Sequence, residues 1–188
     1  MKKIFLAGDS IRRGYDLPVR QKLAGRAEVF SSAENGQFAQ YTLKHLNEWA
    51  KAAGHEDEIE VVHWNNGLWD VLHQYGDECL TPPDFYASML RRIHKRIGIL
   101  FPKARVIFAL TTPVIEEQNT DPNFTRTNDD IERYNAIASD VMKELGVKVN
   151  DLYHAAKGFP LALYADWTHY TAEGYELLAD AVIKACTE

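Results

Sequence analysis

An alternation along the whole length of the chain is what most limits its fold. Short apolar runs exchange with longer stretches whose apolar residues recur every three or four positions. "KKIFLAG" (2–8), "AEVFSS" (27–32), "IEVVHW" (59–64), "ARVIFAL" (104–110) and "VKVNDL" (147–152) read as strands. A helical pattern at 37–53 carries Phe38, Tyr41, Leu43, Leu46, Trp49 and Ala50. A second runs from Pro82-Pro83 through Leu100, with Phe85, Met89, Ile93 and Ile97 four apart and Thr81 as the predicted N-cap. A third, 128–145, carries Ile131, Tyr134, Ile137, Ala138, Val141 and Leu145 and ends at Gly146. The last, 172–186, carries Tyr175, Leu178, Ala179, Val182 and Ile183 behind a Thr171 cap. Such alternation predicts the α/β class: a five-stranded parallel sheet covered by helices on both faces, an α/β/α sandwich of three layers. The 188 residues contain no linker, repeat or low-complexity tract, so one domain over 1–188 is expected.

In sheets of this kind ligands sit beyond the carboxyl ends of the strands. The residues there are Gly8-Asp9-Ser10, "ENGQ" (34–37), "NNGLWD" (65–70) and "TTPV" (111–114), with "ADWTHYT" (165–171) before the last helix. A serine hydroxyl is inert without a base. Asp166 and His169, three apart in one turn, can supply an imidazole to Ser10 and a carboxylate to the far side of that imidazole. This is the nucleophile, base and orienting acid of a triad, in the order Ser10, Asp166, His169.

Composition removes several other classes. Hydrophobic residues are 46% and charged ones 26%, which argues against disorder. The net charge is −6 and no basic stripe is present, so nucleic acid is not an expected partner. Arg91, Arg92, Lys95 and Arg96 read as a solvated helix face, and Arg12 and Arg13 as a solvated loop pair. No run approaches the ~20 apolar residues of a membrane span. The apolar start from Ile4 to Gly8 is shorter than a secretory core of about 7–15 residues, which makes the cytoplasm the expected location. Cys79 and Cys186 read as unpaired thiols. His45, His55, His63, His73, His94 and His154 lack zinc-ligand spacing, so neither metal nor cofactor is expected. A nucleotide-binding protein on the same architecture would need a phosphate-cradling glycine motif, and none is found.

Gly8-Asp9-Ser10 near one end, Asp166-x-x-His169 near the other, and the closing "HYTAEGYELLADAV" together resemble the SGNH (GDSL-type) hydrolases. These are serine esterases and lipases on a three-layer, flavodoxin-like fold. The resemblance implies that Ser10 is the nucleophile, His169 its base and Asp166 the partner of His169. It also implies an oxyanion hole made by the N–H of Ser10, a backbone N–H near Gly36 and the side-chain amide of Asn65. The family's Gly-x-Asn-Asp is replaced here by "HWNNG" (63–67), so Asn66 is the alternative by one residue, and Gln40 is the alternative to Gly36. The implied activity is cleavage of carboxylic esters through an acyl-enzyme. The expected partner is a small-molecule ester with a short acyl group, an acetylated carbohydrate in particular. Trp69, Trp167 and Tyr170 are the expected substrate-binding residues, because flat aromatic faces with a polar tip suit a sugar ring; alternation gives Trp64 a buried face. No long apolar segment offers a lipid-binding lid. A thioesterase or lysophospholipase of the same mechanism is the alternative, as is a carbohydrate-binding protein that keeps only the fold. The oligomeric state stays open.

Overall fold

The apolar runs become the strands of one parallel sheet in the computed structural model, which describes all 188 residues. In chain order the elements are β1 (Lys2–Ala7), α1 (Ser10–Leu23), β2 (Ala27–Ser31), α2 (Ala39–Ala53), β3 (Val61–Trp64) and β4 (His73–Gln74). Then follow α3 (Pro83–Leu100), β5 (Arg105–Ala109), β6 (Phe124–Thr125), α4 (Asn128–Leu145), β7 (Lys148–Asn150), α5 (Leu152–Ala156) and α6 (Ala172–Thr187). The main sheet has the order β2-β1-β3-β5-β7, with Ile4 beside both Val29 and Val61 and Ala7 beside Trp64. The chain steps outward from β1 to β2 and then back across to β3. That reversal opens a crevice at the carboxyl ends of β1 and β3, where such folds bind ligands.

Ile4 through Ala7 of β1 and all of β3 are buried, as expected for strands covered on both faces. His63 is among them. Its Nε2 lies 3.0 Å from Asn150 Nδ2 and its Nδ1 3.5 Å from Tyr15 Oη, and burial lowers its pKa to about 3, so it is a neutral core residue. α1 packs on α6, whereas α2 packs on α3 and α3 on α4, one group on each side of the sheet. A Cβ on Gly14 would fall 2.0 Å from the Tyr175 ring, so glycine sets how closely α1 approaches α6. A single hydrophobic core extends from Ile4 to Cys186 and therefore fixes both ends of the chain together.

Several features differ from expectation. Residues 10–23 form a helix, whose buried side Ile11, Arg12, Tyr15, Val19 and Leu23 includes a guanidinium. Arg12 is no solvated loop residue. Its Nη1 donates to Asp16 Oδ2 (2.9 Å), and its Nη2 to Ser32 Oγ (2.9 Å), Glu34 O (2.7 Å) and Gly8 O (3.4 Å). It thereby joins the β1–α1 turn to the loop after β2, while Arg13 is exposed. α3 starts at Pro83 with Pro82 in the cap position and no side-chain cap; Thr81 is buried instead, its N–H on Asp70 O. Tyr86 rather than Phe85 faces the core. β4 and β6 form a separate antiparallel ribbon, and α5 adds one short helix. Both cysteines are free and buried. No helix is long and apolar enough to cross a membrane.

Asp70, in the loop after β3, accepts the Ala39 N–H at the start of α2 (3.0 Å). Its burial raises the carboxyl pKa to about 6, against the opposing pull of that N–H.

Two outcomes follow from these buried charges. Arg12→Met removes the buried donor to Asp16 Oδ2, Ser32 Oγ and Glu34 O, while Arg20 still pairs with Asp16 Oδ1 and the Gly36 N–H with Gly8 O. The unfolding free energy in urea should fall by about 3 kcal/mol, and a loss below ~1 kcal/mol contradicts the role given to Arg12. Asp70 binds its proton more tightly folded than unfolded, so stability should decline as pH rises from about 4 to about 6. Asp70→Asn should flatten that decline in a series of melts; a wild-type slope in the variant would disprove it.

Candidate active site

The turn from β1 into α1 begins at Gly8, with φ +156°. A Cβ there would lie 1.8 Å from Asn65 Oδ1, so only glycine lets β3's end approach β1's. Asp9 is fully buried. Its Oδ1 accepts the Ile11 N–H (2.9 Å) and caps α1, while its Oδ2 accepts Asn65 Nδ2 (3.0 Å). Burial raises the Asp9 carboxyl, and those donors with Arg12 oppose the rise. Ser10 follows as the first residue of α1. Its N–H is one of the unpaired donors at the positive end of that helix.

The loop before α6 brings the second half of the site. Asp166 Oδ1 accepts the N–H groups of Thr168 (2.7 Å) and His169 (2.8 Å), which folds 166–169 into a tight turn. The Ala165 N–H on His169 O, the Tyr164–Tyr170 bridge and the Ile115 N–H on Trp167 O hold that turn against the sheet. Within it, His169 Nδ1 lies 2.8 Å from Asp166 Oδ2 and His169 Nε2 lies 2.8 Å from Ser10 Oγ. Burial pushes the Asp166 carboxyl up, but the two backbone N–H groups and the imidazole outweigh it and hold the pKa below the ordinary value. A hydroxyl, an imidazole and an ionised carboxylate in one hydrogen-bonded line can pass the hydroxyl proton to the ring while the carboxylate balances the charge formed.

The expected oxyanion residues are arranged differently. The Gly36 N–H donates to Gly8 O (2.8 Å). The Asn65 amide is turned to Asp9, and its Oδ1 is buried without a partner. Asn66 Nδ2 donates to Gln37 O and Thr42 Oγ1, and its Oδ1 accepts Trp64 Nε1. Gln40 lies in the first turn of α2 and accepts the Thr81 hydroxyl. These residues brace the strand ends, and none of them lines the cleft beside Ser10 and His169.

That cleft is lined instead by Asn35, Trp69, Arg126 and Trp167, with Leu68 its one aliphatic side chain. Asn35 Oδ1 accepts the Gln37 N–H (2.9 Å), and its Nδ2 is free. Of the three aromatic residues expected at the substrate, Trp69 and Trp167 line this cleft. Tyr170 does not: it is buried among Phe159, Tyr164 and Tyr175, with its hydroxyl on Pro113 O. Asn35 and Arg126 were not singled out by sequence. Asn35 had a signal, as a polar residue beside Gly36 after the second strand; Arg126 had none.

Away from the cleft, His73 Nε2 lies 2.9 Å from Asp130 Oδ2 and 3.4 Å from Cys79 Sγ. These three could share a cation, although their sequence spacing gave no hint of it. Arg133 already supplies a positive charge there, with Nη2 3.0 Å from Asp130 Oδ1.

The family model described as GDSL-like Lipase/Acylhydrolase family matches residues 6–177, a span that contains Ser10, Asp166 and His169. A curated relative, the GDSL esterase/lipase CPRD49 of Arabidopsis thaliana, is 23% identical over 99% of this chain and 79% of its own length. The lipase/acylhydrolase from Enterococcus faecalis superposes with a TM-score of 0.78 at 22% identity, covering 98% of this chain and 95% of that one. An acetyl xylan esterase, AlAXEase, superposes with a TM-score of 0.75 at 17% identity, over 97% and 98% of the two chains. At such identities the two superpositions speak for the fold alone. The match over most of its length makes this chain a member of the GDSL-like lipase/acylhydrolase family, and an ester hydrolase.

Proposed function

We propose that the chain hydrolyses short-chain esters of a carbohydrate, acetyl esters above all, through an acyl-enzyme on Ser10. The observation that carries this reading is the line from Ser10 Oγ to His169 Nε2 and from His169 Nδ1 to Asp166 Oδ2, 2.8 Å at each step. Ser10 attacks the ester carbonyl as His169 takes its proton. His169 returns that proton to the departing alcohol, then activates water for the second step. Asp166 keeps the imidazole in the productive tautomer and balances the imidazolium.

The tetrahedral oxyanion is held by the free N–H of Ser10 and the free Nδ2 of Asn35. The proposal replaces Asn65 by Asn35 because the Asn65 amide is engaged with Asp9, whereas Asn35 lines the cleft. A short acyl group fits a cleft with little aliphatic lining, and Trp69 and Trp167 offer the alcohol side flat apolar contact. One of the structural relatives bears the name acetyl xylan esterase, which agrees with an acetyl substrate.

Steady-state rates test the reading. Ser10→Ala should lose about 10⁴-fold or more in kcat. Asn35→Ala should lose about 10²-fold in kcat with a smaller change in KM. Asn66→Ala should register first as a lower unfolding temperature. An Asn35→Ala enzyme of unchanged kcat would remove that residue from the oxyanion hole. On a series of p-nitrophenyl esters, acetyl should exceed octanoyl by about tenfold; the reverse order would favour a lysophospholipase or long-chain thioesterase.

A further inference from the structure

Two arginines of this chain sit beside the turn and cleft of Ser10, Arg12 buried and Arg126 half-buried, and they are partnered differently. Arg12 has four acceptors around its Nη groups, one of them the carboxylate of Asp16. Arg126, two residues before α4, lines the cleft of Ser10 and His169 and has only one. Its Nε donates to Leu68 O (2.5 Å). The indoles of Trp69 and Trp167 flank its guanidinium, with Cζ 5.8 and 5.3 Å from the ring centroids. Neither Nη group has an acceptor in the chain. The hollow on its other side is rimmed by Glu116 and Asp121, and neither makes an ion pair with it. Glu116 is engaged by Asn128, and Asp121 by the N–H of Asn123.

A guanidinium withdrawn from water normally has a carboxylate or another full set of acceptors, because uncompensated desolvation is costly. Partial burial lowers the Arg126 pKa to about 10, against the opposing charges of Asp9 and Asp166. The Nε bond and the two indoles keep the side chain in place without any anion. The two Nη groups thus make no hydrogen bond within the chain, on a side chain that shares the cleft lining with Ser10 and His169.

We propose that Arg126 selects substrates whose ester-bearing alcohol carries a carboxylate, which its two Nη groups bind as a bidentate pair. This deepens the esterase reading and rests on it for the position of the scissile bond. One negative charge suits the site better than two. Arg126 is the only cation lining the cleft, and Asp166 also lines it, so a phosphate dianion would meet more repulsion than a carboxylate. An O-acetylated sugar acid is the substrate class this describes.

The preference can be read as binding, independently of turnover. The Ser10→Ala protein is titrated with an O-acetylated methyl glycoside of a hexuronic acid and with its neutral carboxamide, following the fluorescence of the flanking tryptophans or the heat of binding. The carboxylate form should bind about tenfold tighter or better. That ratio should fall towards 1 when Arg126→Gln is added, and Arg126→Lys should retain part of it, since charge survives while the fork is lost. Equal affinity of the two glycosides for Ser10→Ala overturns the proposal without any Arg126 variant, as does a preference that survives Arg126→Gln. Turnover of p-nitrophenyl acetate by the unsubstituted enzyme reports separately on the esterase reading, so either can fail alone.

Discussion

The buried carboxylate of Asp9 is the point on which the arrangement of the site depends. One oxygen caps α1, and the other receives the Asn65 amide from the end of β3. The carboxyl ends of the two strands that border the crevice are therefore tied together directly. Gly8 allows the approach, because any side chain there would collide with Asn65. Arg12 then connects the same turn to the loop after β2. With the turn held on three sides, Ser10 is presented at a fixed helix start, its hydroxyl on His169 at the cleft. Burying Asp9 raises its proton affinity, so this bracing carries an electrostatic cost that its hydrogen bonds offset.

The other half of the site is built by contrast from short-range turn chemistry. Asp166 closes its own turn through two backbone N–H groups and only then reaches the imidazole. The same bonds that order the loop also keep the carboxylate ionised. Position and charge state thus come from one set of contacts. The halves meet because α6, which follows the turn, packs against α1, which follows Ser10. The sequence separation of 159 residues is closed by one helix pair.

The alternation of apolar runs and helical patterns was enough to read the five strands and four of the six helices. The pair of end motifs was enough to single out Ser10, Asp166 and His169, which the structure brings within hydrogen-bonding distance. α1 escaped notice because Gly14 and Pro18 interrupt its pattern and Arg12 occupies a position on its buried face. Each has a tertiary reason that sequence does not display: Gly14 faces the Tyr175 ring, and Arg12 finds its acceptors in other loops. The two-residue strands of the small ribbon are too short to show a period. The asparagines were hardest to assign, since Asn35, Asn65 and Asn66 are alike in type and differ only in which acceptors the fold offers them. Tyr170 is expected at the substrate with Trp69 and Trp167, but a residue next to a turn can face either way, and this one faces the core.

The central claim is that Ser10, alone among the hydroxyls, is activated by its neighbours. Reaction with one equivalent of a fluorophosphonate, followed by intact-mass measurement and peptide mapping, tests it most directly. A single adduct on Ser10 is expected, formed at a rate that collapses in His169→Ala although the hydroxyl is still present. An unmodified Ser10, or labelling that proceeds equally fast without His169, would contradict the account.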